Sequence, residues 1–471
     1  MLRIFDSVPS PTAAPFSRRE WLRVGGLGLG GLSLPLLAQP APLRAGVSSP
    51  DVAASFGKAK SVIVMFLGGG IPQHDTWDPK PEAPEEIRGA YGAIASKTPG
   101  LHVGELMPQM AMLTDKMAVL RAMVTNDNSH SSAGYHMLTG VPHVPQGSEN
   151  AVSKAPNLAP NWGSVAKYLK QHEQTGLPPA VTVPVHLANI GEVVWPGQIG
   201  GILGPKYDPW VVKCDPSQPN FSIPDLALPD DLSQLRLDRR FSLLDQVNRQ
   251  LDHMASSLAV TDFNRQTQQA LGLLSGSKAR AAFDLAQESQ ATRDRYGASR
   301  WAQSVLLSRR LVEAGVSLVH INWCLVDGEP NYGSWDTHHQ HNTMVKKLLM
   351  PWMDQAYSAL LTDLSDRGLL EETLVVCVGE MGHTPKFNPS AGRDHWGHCF
   401  SLSLAGGGVR GGAVHGKSDG HAAFPVSGVV DPSDLIATIF HCLGYAPETH
   451  LHDTLGRPIP LSRGRVIEEI L

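Results

Sequence analysis

Five short polar clusters each follow an apolar, strand-like run, and they hold most of the histidine and aspartate chemistry of the chain. They are Gly68-Gly69-Gly70 with His74-Asp75, then Ser129-His130-Ser131-Ser132, then Trp335-Asp336-Thr337-His338-His339. The last two are Gly379-Glu380-Met381-Gly382-His383-Thr384-Pro385 and Gly392-Arg393-Asp394-His395-Trp396. In a parallel α/β sheet the loops after the strands open on one edge, where ligands bind. Five such clusters on one edge build a site of imidazoles and carboxylates, the donor set of a hydrolytic metal centre.

The rest of the chain supports such a sheet. Residues 61–67 form a continuous apolar run ending in three glycines, as a central parallel strand does. Strands are also expected over 117–123, 180–185, 316–321, 373–378 and 400–404. Helices are expected over 105–114, 131–138, 162–171, 301–314, 344–364 and 434–443. Strand alternating with helix indicates an α/β fold: a large, mostly parallel sheet covered by helices on both faces. The 471 residues then divide into a leader over 1–45 and one large domain over 55–471. That domain carries a Pro- and Gly-rich insertion over 141–235 and a helical stretch over 236–314.

The leader reads as an export signal. Ser17-Arg18-Arg19-Glu20-Trp21-Leu22-Arg23 precedes an apolar, Gly-rich segment over 24–38. That segment is shorter than the roughly 20 apolar residues a membrane helix takes. A paired arginine before it indicates twin-arginine translocation to the periplasm or the outside of the cell. No second hydrophobic span follows, so no transmembrane segment is expected after the signal is removed. The net charge of −5 leaves no footprint for nucleic acid. The five cysteines are scattered with no CxxC pair, which argues against a disulfide framework and against thiolate ligands.

Within the clusters, Asp336 and His338 can reach one ion from a single loop, with His339 beside them. Asp394 can orient His395 through its ring N–H, as carboxylates commonly do behind metal-bound imidazoles, or ligate in its own right. Glu380 directly follows a buried strand, where a carboxylate is costly unless it is paired or metal-bound. It is a candidate ligand or base, with Arg393 or Lys386 as alternative partners. His130 stands between a strand and the N-terminus of a helix, a place that favours anions. Ser131 and its neighbours add donors there. His130 is a candidate nucleophile, general acid or metal ligand, and Asp75 a further candidate ligand.

These stretches resemble the exported family known as domain of unknown function fifteen-oh-one. The resemblance rests on Phe66-Leu67-Gly68-Gly69-Gly70, Asp75-Thr76-Trp77-Asp78-Pro79-Lys80-Pro81 and Met137-Leu138-Thr139-Gly140. It rests also on Arg309-Arg310-Leu311-Val312-Glu313-Ala314-Gly315-Val316, Trp335 to His338, Gly379 to Pro385 and Gly392 to Trp396. That family in turn resembles the alkaline phosphatase and sulfatase superfamily, which implies metal-assisted hydrolysis of an anionic phosphate or sulfate ester. By that resemblance one metal site is carried by Asp336, His338 and His395, holding zinc, calcium or manganese. His130 falls where the superfamily has its hydroxyl or thiol nucleophile. Met381 replaces an imidazole ligand, for which His383 is a substitute, and Asp75 substitutes for an aspartate at the end of the first strand. Arg393, His339, His383 and Ser131 are expected around the substrate. The alternative reading is a scaffold without turnover that binds an anionic ligand or a partner protein in the same cleft.

Overall fold

The computed structural model describes residues 50–173, 176–189, 191, 193–223 and 277–471. The expected leader and residues 224–276 lie outside the described residues. The chain divides into two units, Met1–Ala53 and Ala54–Leu471, and the second holds the sheet and the site.

Eight strands form the central sheet: β1 Ser61–Phe66, β2 Met117–Met123, β3 Ala180–Val183, β4 Trp210–Val211, β5 Leu318–Asn322, β6 Thr373–Val378, β7 Phe400–Ala405 and β8 Val414–His415. Their spatial order is β8-β2-β7-β6-β1-β5-β3-β4. β1 lies at the centre, parallel to β6 on one side and to β5 on the other, with Val64 opposite Val376 and His320. All six residues of β1 are buried, and so are all six of β6. Continuous Val, Ile and Leu runs are what a strand covered on both faces requires. Each such side chain contributes roughly 1.5–3 kcal/mol by leaving water.

One face of the sheet, through Ile63, Met65, Val319, Ile321, Val375 and Cys377, packs into a core with helices Arg300–Glu313 and Met350–Asp366. On the other face Phe66 stacks on His320 at 5.7 Å between ring centres, and Trp162 of helix Trp162–Leu169 lies 6.2 Å from His320. The fold is therefore a large, mostly parallel sheet with helices on both faces.

Three expectations change. β7 runs antiparallel to both β6 and β2, so the cluster at residues 392–396 precedes a strand rather than following one. The reversal brings its N-terminal end to the edge where the parallel strands finish, and the cluster still reaches the common site. The helix expected over 105–114 is a short turn, Pro108–Ala111, followed by a 3₁₀ turn, Thr114–Lys116. Pro108 stands at the first turn, where a missing N–H costs nothing. The helix expected over 344–364 begins at His341 and passes through a π stretch, Val345–Leu349, before Met350–Asp366. Pro351 has no N–H and its ring crowds the carbonyl of Lys347, so the backbone widens there.

The five cysteines are free, and all but Cys214 are buried. Among the described residues no helix is long and apolar enough to cross a membrane.

Candidate metal centre

The carboxyl edge of the sheet gathers residues from three loops. Asp336 and His338 come from the segment after β5, and His395 from the segment before β7. His130 is the first residue of the helix His130–Thr139, which follows β2. The loops approach closely. Gly69, at φ +115°, leaves no room for a Cβ, which would lie 2.2 Å from the Asp336 nitrogen. Gly69 therefore serves close approach of the two backbones.

Three atoms form a triangle. Asp336 Oδ1 lies 3.0 Å from His338 Nε2 and 3.0 Å from His395 Nε2, and those two nitrogens lie 3.0 Å from each other. The other nitrogen of each ring is committed. His395 Nδ1 donates to the main-chain oxygen of Asn128 at 2.7 Å, and His338 Nδ1 donates to Asp394 Oδ1 at 2.7 Å. An imidazole that donates through Nδ1 carries a lone pair on Nε2 when neutral. Two nitrogen lone pairs and a carboxylate oxygen thus converge with no proton among them. Only a cation, or protons taken up in its place, relieves that repulsion. The arrangement fits a divalent ion, with Asp394 and the Asn128 carbonyl orienting its imidazoles from behind.

His130 joins from the fourth side. Its Nε2 lies 3.3 Å from Asp336 Oδ2, and one nitrogen of His130, one carboxylate oxygen of Asp336 and one nitrogen of His395 all fall within 4.8 Å of one another. Its Nδ1 donates to Glu380 Oε1 at 2.7 Å, and the same oxygen accepts the Gly69 N–H at 2.8 Å. Glu380 is fully buried. It therefore stands behind His130 in the way Asp394 stands behind His338, rather than at the triangle itself.

With protons instead of an ion, the charges respond strongly. Burial works against the His130 imidazolium, but hydrogen bonds and charge from Asp336 and Glu380 raise its pKa to about 10. The hydrogen bond to Asp336 lifts His338 to about 9. Asp336 is held far below the usual carboxylate range: burial opposes this, and hydrogen bonds from His130, His338 and His395 overcome it. Without an ion, protons on His130 and His338 supply the positive charge that the carboxylates draw in.

Several expected residues lie elsewhere. Asp75 is buried against His341, with Oδ2 2.9 Å from His341 Nε2, while Thr337 Oγ1 sits 2.6 Å from His341 Nδ1. Burial pushes Asp75 up, but His341 and Arg393 hold its pKa down to about 2. It is an ion-pair partner in a second, interior cluster and not a ligand of the triangle. Arg393 is fully buried. Its guanidinium donates to the carbonyls of Thr384, Pro385 and Ile87 and lies over the Phe387 ring at 4.0 Å. It clamps the loop that carries Asp394. His383 pairs across a short ribbon with His395, fully buried, with neither ring nitrogen hydrogen-bonded. Burial drives its pKa well below the ordinary value. His339 is exposed, and its carbonyl accepts from Asn331. Ser131 Oγ donates to the Ser148 carbonyl and accepts the Ala151 N–H. The anion position at the helix N-terminus is taken by the protein itself, since the His130 N–H donates to Glu149 Oε2 at 2.8 Å.

Sequence reasoning missed Asn128, Glu149, Asn189 and Trp195. Asn128 acts through a main-chain carbonyl, which carries no sequence signal. Trp195 stacks on the His130 ring at 5.7 Å and 11°. Its signal was Gly134, a glycine inside a helix.

Fold and site together define an α/β protein with a cluster of three imidazoles and a carboxylate at the carboxyl edge of its sheet. It belongs to the family described as Protein of unknown function (DUF1501), matched over residues 59–471. That is the family its motifs resemble. A comparison with curated protein sequences gives no match. Among solved structures, the chain is similar to the PsFucS1 sulfatase from Pseudoalteromonas sp., at 15% identity over 87% of this chain and 73% of that one, with a TM-score of 0.42. It is similar to the lipoteichoic acid synthase LtaP from Listeria monocytogenes at 10% identity, over 88% and 78%, with a TM-score of 0.37. It is also similar to the phosphonate monoester hydrolase SpPMH from Silicibacter pomeroyi at 12% identity, over 86% and 76%, with a TM-score of 0.36.

Proposed function

We propose that this protein is an exported, metal-dependent hydrolase of phosphate or sulfate esters. The observation that carries the reading is the triangle of Asp336 Oδ1, His338 Nε2 and His395 Nε2, each 3.0 Å from the others. The donor set bears on the ion. Calcium takes six to eight oxygens, whereas three imidazoles and one carboxylate suit zinc, with manganese the next candidate. A divalent ion held there supplies Lewis-acid polarisation of an ester oxygen and lowers the pKa of water.

The remaining chemistry belongs to the side chains. Solvent reaches the triangle beside His338 and Asp394, whose side chains are 42% and 50% exposed, so the ester enters from that side. His130 and His395 are the more enclosed ligands, with side chains 12% and 16% exposed. They hold their orientation through Glu380 and Asn128. Among the described residues no hydroxyl or thiol is hydrogen-bonded to the triangle, so the nucleophile we assign is water. We assign His130 as a ligand through Nε2, because its Nδ1 is committed to Glu380 and its Nε2 faces the triangle beside Asp336.

One observation favours a binding scaffold without turnover. Glu149 occupies the His130 N–H, a donor that an oxyanion would otherwise use. The deciding assay is hydrolysis of aryl phosphates, phosphodiesters and aryl sulfates by metal-loaded protein and by His130→Ala. The hydrolase reading expects turnover that depends on added zinc or manganese and falls steeply in His130→Ala, because losing a ligand costs more than the about 10–100-fold in metal affinity or activity lost with a group that orients one. No turnover across the panel by metal-loaded wild type rejects the hydrolase and leaves the scaffold.

Export is part of the same proposal and rests on Arg18-Arg19 with the Gly-rich segment behind them. Changing both to Lys is expected to leave unprocessed precursor in the cytoplasm. Normal export of that variant would remove the twin-arginine assignment.

A further inference from the structure

The Pro- and Gly-rich insertion reaches the metal centre through three residues that close a ring with His130. The Trp195 indole stacks on the His130 imidazole, with ring centres 5.7 Å apart and planes inclined by 11°. Trp195 Nε1 donates to Asn189 Oδ1. Asn189 Nδ2 donates to Glu149 Oε1. Glu149 Oε2 in turn accepts the His130 N–H. The ring thus begins and ends on His130. It joins two separate segments of the insertion, one around residue 149 and one over residues 188–195.

The slot that holds Trp195 is built for it. The indole is 4% exposed. It lies edge-on to Phe66 at the end of β1, with 6.3 Å between ring centres. A Cβ on Gly134 would stand 2.5 Å from Trp195 Cε3, and a Cβ on Gly68 3.8 Å from its Cη2. Glycine inside a helix costs about 1 kcal/mol relative to alanine. Gly134 sits in the middle of His130–Thr139, one turn beyond His130. The helix accepts that cost where the indole must lie flat against it. The same indole then covers the His130 ring, while Glu380 fixes its Nδ1.

We infer that Trp195, Asn189 and Glu149 are positioning residues for the metal-ligating imidazole of His130, so that the insertion is a working part of the metal centre rather than a surface elaboration. The inference rests on the metal-centre reading of His130 given above. A side chain held by a stacked ring, a hydrogen bond at Nδ1 and a fixed main-chain N–H presents Nε2 in one direction. Removing the stacked ring frees the imidazole to rotate off the ion.

Cobalt(II) alone is the probe, added to the chelator-stripped full chain, with affinity and the visible ligand-field spectrum as readouts. Trp195→Ala is expected to weaken cobalt binding by about 10–100-fold, the usual effect of losing a group that orients a ligand, and to change the band shape. Trp195→Phe, which keeps a ring in the slot, is expected to restore most of both. Asn189→Ala cuts the ring at a half-buried position and is expected to give a smaller shift of the same sign at an unchanged melting temperature. It keeps the test open if Trp195→Ala fails to fold. Gly134→Ala, which improves helix propensity, is expected to weaken cobalt binding by displacing the indole. Wild-type affinity and spectrum in both Asn189→Ala and whichever of Trp195→Ala or Gly134→Ala folds overturn the inference. Wild type that binds no cobalt overturns it as well, by removing His130 as a ligand. Cobalt binding is read without substrate, so failure of the ester panel rejects hydrolysis and leaves the positioning role standing.

Discussion

Asp336→Ala protein, purified from cells grown with ample zinc and manganese, is expected to carry no divalent ion and to show no metal-stimulated turnover. Asp336 is the one carboxylate at the triangle. Its Oδ1 touches both His338 and His395, and its Oδ2 faces His130. Without it three imidazoles converge on an uncompensated cation. Loss of a group behind a ligand costs about 10–100-fold in metal affinity, and loss of the shared ligand itself must cost more. The comparison with Asp394→Ala is informative. That variant keeps all three atoms of the triangle and frees His338 Nδ1 together with one hydrogen bond of Asn388 Nδ2, so it is expected to fall within the about 10–100-fold range. Equilibrium zinc competition against a chromogenic chelator measures both. Equal effects in the two variants would contradict the assignment of Asp336 as ligand and Asp394 as orienter.

Arg309→Met is expected to lower unfolding stability by about 3–5 kcal/mol, the usual cost of stranding buried charges. Arg309 is 1% exposed. Its guanidinium faces three carboxylates: Glu288 at 2.8 Å, Glu313 at 2.5 Å and Asp363 at 3.0 Å. Tyr296 also donates to Asp363, at 2.9 Å. Arg310 and Arg367 reach some of the same carboxylates but lie nearer the surface and cannot replace the central charge. Urea unfolding of metal-loaded wild type and variant gives the difference. A loss below about 1 kcal/mol, the range of exposed ion pairs, would show that the outer arginines carry the network. No part of this cluster touches the metal centre, so cobalt affinity is expected to stay at the wild-type value in folded Arg309→Met.

Much of the fold was legible because its central strands are buried on both faces. Residues 61–66 and 373–378 read as nearly continuous apolar runs, and residues 117–123 as a run broken by Arg121; these are β1, β6 and β2. A helix over residues 131–138 was legible from its end, where Gly140 adopts a left-handed conformation at φ 70°. The direction of β7 was not, because the short stretch Phe400-Ser401-Leu402-Ser403-Leu404-Ala405 carries no mark of its orientation. Of the site, Asp336 with His338 was legible from spacing, since one loop carries both. His395 was legible from the Asp394 beside it, although Asp394 serves His338 and the Asn128 carbonyl serves His395. The pairing of Asp75 with His341 spans 266 positions, and no local pattern announces it. Glu149, Asn189 and Trp195 lie in a stretch whose prolines and glycines signal only irregular backbone. Their meaning appears when His130 is seen beneath them. Gly134 was the one residue whose local cost pointed to a close neighbour.

Metal analysis of the purified wild-type protein tests the central claim most directly. Inductively coupled plasma mass spectrometry on protein washed free of loose ions is expected to find about one equivalent of a divalent metal, predominantly zinc, tightly held at neutral pH by a set of one carboxylate and three imidazoles. Acidification is expected to release it as the imidazoles take up protons. Protein that emerges metal-free from metal-replete cells, and that stays so after incubation with zinc or manganese, would contradict the metal centre and the hydrolase proposed on it.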